Sequence, residues 1–154
     1  NIYGLPATGI RFFTVYGPYG RPDMALYKFV EAIVKSRQIE LFNKGNHIRD
    51  FTYIDDVTSA LIKILRKPPK GKIPHSIFNV GGSNPKHLKL FLKIIISVLG
   101  KKPKIKFKKL QAGDVKKTHA SNINLGKKIG FNSKTNLKQG IKKFIDWYLQ
   151  YKKN

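Results

Sequence analysis

Residues 11–25 read RFFTVYGPYGRPDMA, and no other stretch restricts the fold as much. The aromatic, β-branched run over residues 9–15 predicts a buried strand. Gly17-Pro18 ends it, since proline has no amide hydrogen for a ladder and glycine favours a turn. From about Asp23 the period becomes helical. Leu26, Phe29, Val30 and Ile33 fall on one stripe, with Asp23 placed to cap the helix. Pro18 and Pro22 restrict the backbone on both sides of Gly20-Arg21. A guanidinium held in this way is expected to present its planar fork to a carboxylate or phosphate, with Thr14 adding a hydroxyl. A purely structural alternative makes Arg11 an ion-pair partner and the rest a strand with a turn.

The remainder alternates. Residues 39–42 predict a short strand closed by Asn43-Lys44-Gly45, and residues 51–54 another. Asp55-Asp56 open a helix that runs to Leu65, with acids where the helix dipole favours them. Residues 76–80 form a strand leading into Gly81-Gly82, two glycines expected to make a tight turn. An apolar helix covers about 87–99 and stops at Gly100. A half-exposed strand at 104–108, a short helix at 124–129 and a final amphipathic helix marked by Ile141, Phe144, Ile145 and Tyr148 complete the chain. Strands alternating with helices specify α/β.

Charge divides the chain unevenly. Residues 1–62 hold seven Lys/Arg and six Asp/Glu, whereas residues 63–154 hold twenty-four and two. A nucleic-acid surface is one reading. Lysine on solvated faces is the other, and it is favoured. Lys138 lies in a first helical turn, where the dipole favours an acid, and Lys101, Lys102 and Lys104 fill a turn. No aromatic is interleaved with these lysines as a stacking platform. Nucleic-acid contact is therefore expected to be nonspecific. The absence of cysteine rules out disulfides and thiolate metal sites, and fits a reducing compartment such as the cytoplasm. The longest apolar run, 88–99, carries Lys89 and Lys93 and reads as a buried helix, so no membrane insertion is expected. The chain opens on Asn1 and its one methionine is Met24, which suggests a piece of something longer.

Familiar reactive motifs are missing. No G-x-G-x-x-G follows a strand, and there is no P-loop, nucleophile elbow or H-E-x-x-H. His47, His75, His87 and His119 are scattered and read as surface or loop residues, so no metal site is assigned. Two stretches stand out. In IRDFTYIDD (48–56), Arg49 either holds an anion or pairs with an acid, and Asp55-Asp56 cap a helix. In QAGD (111–114), Asp114 is one of two acids after residue 62. It has a specific partner, a sugar hydroxyl or a cation, or else a plain ion pair.

These motifs together, with Gly4-Leu5-Pro6, FNVGGSNP, GDV and the closing FIDWY, resemble the C-terminal half of extended short-chain dehydrogenase/reductases acting on nucleotide sugars. The likeness is greatest to the UDP-glucuronate 4-epimerases, and it spans essentially the whole chain. It implies the last Rossmann strands plus the smaller α/β substrate-binding lobe, as one incomplete unit over residues 1–154 with the N-terminal NAD-binding half missing. Family chemistry is a reversible oxidation at the sugar C4, in which a tyrosine of a Tyr-x-x-x-Lys motif takes the proton and NAD the hydride. The resemblance implies that backbone around Phe12 and Phe13 borders the nicotinamide. It also implies that Thr14 and Arg21 meet the sugar, with Arg21 on the glucuronate carboxylate. Glu40, Leu41 and Phe42 would line the uracil, Arg49 would hold the diphosphate, and Asp114 would accept from a ribose hydroxyl. Two departures from the pattern, Ala112 for proline and Lys138 for an acid, loosen local geometry. In the family the Tyr-x-x-x-Lys belongs to the N-terminal half, and Tyr3, Tyr16, Tyr19 and Tyr27 have no lysine four positions on, so no catalytic residue is assigned, and the chain alone is expected neither to bind NAD tightly nor to epimerise. The implied partners are a UDP-sugar, a separate N-terminal half and, for the complete enzyme, a second subunit. The strand over residues 9–15 is expected to leave an exposed edge.

Overall fold

The periodicities resolve into short strands feeding longer helices, and a computed structural model describes residues 2–153. In chain order these are β1 (Ala7–Phe12), β2 (Thr14–Tyr16), α1 (Ala25–Val34) and β3 (Ile39–Phe42), which ends in a 3-10 turn at Asn43–Gly45. Then come β4 (Ile48–Arg49), β5 (Phe51–Tyr53), α2 (Ile54–Leu65), β6 (His75–Val80), β7 (Lys86–His87) and α3 (Leu88–Leu99). The last elements are β8 (Ile105–Lys108), α4 (Ile123–Ile129) and α5 (Leu137–Tyr151).

Strands pair in parallel twos: β1 with β6, β2 with β5 and β3 with β8. The fourth pair, β4 with β7, is antiparallel and was not expected from the sequence. The single strand expected over residues 9–15 is two strands. Phe13 breaks it, its N–H donating to the Val80 carbonyl at 3.1 Å, and the chain then moves from one partner to another. Among the described residues β1 pairs with β6 alone, and Phe12 and Ile77 are about half exposed beside that open edge. The expected Asp23 cap is not formed. The α1 N-cap is Met24 with no side-chain bond, because the Asp23 carboxylate is occupied by Arg21.

Two apolar clusters hold the elements. In the larger, α1, α3 and α5 pack through Val30, Ile95, Ile141, Phe144 and Tyr148, each burial stabilising by about 1.5–3 kcal/mol. Phe51 stacks on Phe91 at 4.2 Å between ring centres, and Tyr16 meets both rings edge-on. The smaller cluster joins Val57, Ala60 and Ile64 of α2 to Val80, Leu125 and Ile129. Asp56 ties the loop before α5 to α2, accepting from Ser133 Oγ at 2.9 Å and from the Thr135 amide and hydroxyl at 3.1 Å. Asn136 caps α5 by accepting from the Lys138 amide, so Lys138 sits in the first turn as its sequence context suggests.

Asp50 is fully buried at the junction of three segments. It accepts backbone N–H bonds from Ala120 at 2.7 Å, Ser83 at 3.2 Å and Asn84 at 3.4 Å. At Gly81-Gly82 close packing against Ala120 and the Phe51 backbone, with Asp50 next to them, requires glycine. A Cβ on Gly81 would lie 2.2 Å from the Ala120 Cβ, and one on Gly82 would lie 2.3 Å from the Phe51 carbonyl and 2.9 Å from Asp50 Oδ1. Replacing Asp50 with alanine strands three backbone donors. We expect Asp50→Ala to destabilise the chain by about 3 kcal/mol or more in urea denaturation, whereas a loss below about 1 kcal/mol would show that the junction is held by other contacts.

Candidate functional site

Strand pairing brings four elements to one cavity of about 360 Å³. Thr14 enters from β2, Glu40, Leu41 and Phe42 from β3, Arg49 from β4 and Asp114 from the turn after β8. The stacked rings of Phe51 and Phe91, with buried Tyr16, supply its apolar wall. Burial pushes the Tyr16 phenol above its usual range, with the charge of Asp56 and the neighbouring Tyr53 adding to the effect. Tyr16 is therefore a neutral wall at physiological pH. Leu41 is buried and Phe42 half-buried, while Glu40 points outward and pairs with Lys108 at 3.1 Å.

The polar end of the cavity is an ion cluster. Arg49 Nη2 donates to Asp114 Oδ1 at 2.7 Å, and Arg49 Nη1 donates to the Ile48 carbonyl at 3.2 Å. Of the alternatives open for Arg49 and Asp114, the ion pair is the one formed, and it is formed between the two of them. The turn carrying Asp114 is tight: its N–H donates to the Gln111 carbonyl at 3.2 Å. Gly113 has φ +78°, a conformation that favours glycine. The turn is attached to β4 through Ile48, whose N–H donates to the Lys116 carbonyl and whose carbonyl accepts from Thr118.

His47 corrects the sequence reading. It is not a surface histidine: it is 3% exposed, lines the cavity and places Nε2 2.9 Å from Asp114 Oδ2. Its signal was available in the sequence, since residues 47 and 49 on an extended strand share a face. His75, His87 and His119 are exposed as expected.

Arg21 is not where its prolines suggested. It does not line the cavity, its side chain is 75% exposed, and it grips Asp23 with Nε at 3.0 Å and Nη2 at 2.5 Å. That double bond raises the guanidinium pKa and lowers that of the Asp23 carboxylate. Proline fixes the backbone, but the long side chain turns to the nearest acid, two residues on. Phe12 and Phe13 also lie outside the cavity lining, at the junction of β1 and β2 beside Val80.

Known proteins resemble this chain in sequence and in fold. The chain is 41% identical to the protein CapI of Staphylococcus aureus, over 99% of this chain and 50% of that protein. It is 41% identical to UDP-glucuronate 4-epimerase 4 of Arabidopsis thaliana, over 98% of this chain and 38% of that protein. The structure of the UDP-glucuronic acid 4-epimerase of Bacillus cereus, solved with UDP-glucuronic acid and NAD, superposes with a TM-score of 0.88 at 28% identity. The match covers 96% of this chain and 46% of that one, so the chain spans about half the length of its relatives. Its α/β fold of parallel strands is that of the C-terminal part of extended short-chain dehydrogenase/reductases. The model of the NAD dependent epimerase/dehydratase family matches residues 1–81, and to that family this chain belongs.

Proposed function

We propose that this chain is the substrate-binding half of a UDP-glucuronate 4-epimerase, one incomplete unit that supplies the nucleotide-sugar site and is inactive alone. The observation that carries the reading is the meeting of Arg49, Asp114 and the Glu40–Phe42 strand in one cavity with an aromatic wall. Leu41 and Phe42 offer apolar surface to a uracil, with Glu40 at the rim. Arg49 offers a guanidinium to a diphosphate. Asp114 keeps lone pairs beyond those used by Arg49, enough to accept from a ribose hydroxyl. Thr14 adds a hydroxyl toward the sugar. The names of the relatives support the UDP-glucuronate class.

NAD would supply the oxidation and reduction at the sugar C4 in the complete enzyme. The residues of this chain do not make a site for it. They offer one border, the backbone around Phe12 and Phe13, with no glycine-rich phosphate loop, and the one tyrosine with a lysine four positions on, Tyr148, is buried in the core on α5. The open β1 edge beside that border favours a partner half, separately made or joined.

Mixing the chain with a separately produced N-terminal half that carries the glycine loop and the Tyr-Lys pair is expected to restore UDP-glucuronate and UDP-galacturonate interconversion. A stable, NAD-loaded complex without turnover would contradict the reading. Recognition of the hexose carboxylate by Arg21 requires it to exchange Asp23 for the ligand. Under that role Arg21→Ala weakens UDP-glucuronate binding about tenfold more than UDP-glucose binding, as calorimetric titration would show. Equal losses would reject the role and favour an epimerase or decarboxylase of another UDP-sugar.

A further inference from the structure

One buried polar group in the cavity wall is left unmet. Among the described residues His47 Nε2 has no hydrogen-bond partner, although Asp114 Oδ2 lies only 2.9 Å away. The separation suits a hydrogen bond and the direction does not, because a ring N–H donates in the plane of the imidazole. The other oxygen of the same carboxylate accepts a well-directed bond from Arg49 at 2.7 Å. Asp114 therefore serves one neighbour fully and faces a second that it does not serve. With the ring proton on Nε2, the tautomer that faces the carboxylate, a buried N–H without an acceptor is unfavourable. Turning the carboxylate toward the imidazole would remove that penalty.

We propose that Asp114 passes from Arg49 to His47 when a diphosphate binds. The proposal rests on the diphosphate role given to Arg49 above. A diphosphate drawn to Arg49 sets like charge beside Asp114 and competes with it for the guanidinium. The incoming anion takes the guanidinium, and Asp114 turns and accepts from His47 Nε2–H. The carboxylate keeps a donor, and the orphaned ring nitrogen gains an acceptor. The backbone is built for this exchange. His47 and Arg49 stand two residues apart on one extended segment and share a face. The His47 carbonyl accepts from the Leu88 N–H at 2.8 Å, which anchors the residue at the start of α3. Without His47, Asp114 would remain beside the phosphates with no donor from the protein to replace Arg49. His47 acts through Asp114 and is a positioning residue.

Two measurements test this. Nitrogen-15 NMR of the His47 ring reports whether Nε2–H is hydrogen-bonded. Its proton is expected to move downfield and exchange more slowly when UDP is added. Arg49→Gln is expected to show the same signature with no ligand present. By calorimetry His47→Met should weaken UDP binding about tenfold, with no further loss in an Asp114→Asn background. An unchanged ring proton in Arg49→Gln, or additive losses from the two substitutions, would overturn the exchange. UDP binding to the unaltered chain without the ring signature also overturns it and spares the diphosphate site. Failure of UDP to bind at all overturns the site reading, and the ligand-triggered exchange with it.

Discussion

The ligand side of this chain depends on one buried carboxylate. Asp50 gathers backbone N–H groups from the turn after β6 and from the segment at Ala120, and its own N–H donates to Thr118 Oγ1 at 3.3 Å. Those bonds fix the position of Arg49, its neighbour, and of the strand-like stretch that begins just past Asp114. The glycines at 81 and 82 permit the approach, since any Cβ there would collide with Ala120 or with the Phe51 backbone. Arg49 and Asp114, 65 residues apart, can meet because both are attached to this junction. A buried acid thus holds the Arg49 guanidinium and the Asp114 carboxylate together at the rim of one cavity.

Much of the fold was legible in the sequence because periodicity and burial agree. The α1 stripe Leu26, Phe29, Val30 and Ile33 is buried, and so are Ile141, Phe144, Ile145 and Tyr148 of α5. What was not legible is pairing. A run of apolar residues does not reveal that its strand changes partner at Phe13, nor that two-residue strands at β4 and β7 pair. The glycine pair after β6 looked like a turn. Its reason is the close approach of Ala120 and of the Phe51 backbone, with Asp50 behind them, and one-dimensional patterns do not report such distances.

The candidate site divides in the same way. Thr14, Arg49 and Asp114, with the β3 residues, do share a cavity. Arg21 does not, because prolines that restrain the backbone do not place a long side chain. Prolines limit φ and the guanidinium lies several bonds farther out, so a local carboxylate decided its direction. His47 was passed over because scattered histidines rarely form a metal site, although its spacing from Arg49 put both on one face. The second half supplies Leu88, Phe91, Gln111 and Asp114 to the cavity, but none of its lysines. Lys28, the lysine among its lining residues, comes from the balanced first half.

The central claim is that this cavity, and not the basic surface, receives a uridine diphosphate. Mapping backbone amide shifts of the labelled chain during UDP titration tests it most directly. The account predicts saturable changes concentrated at Thr14, Leu41, Phe42, Arg49 and Asp114. Changes spread over lysines such as 101, 102 and 104 and abolished by moderate salt, with the cavity amides unmoved, would contradict it.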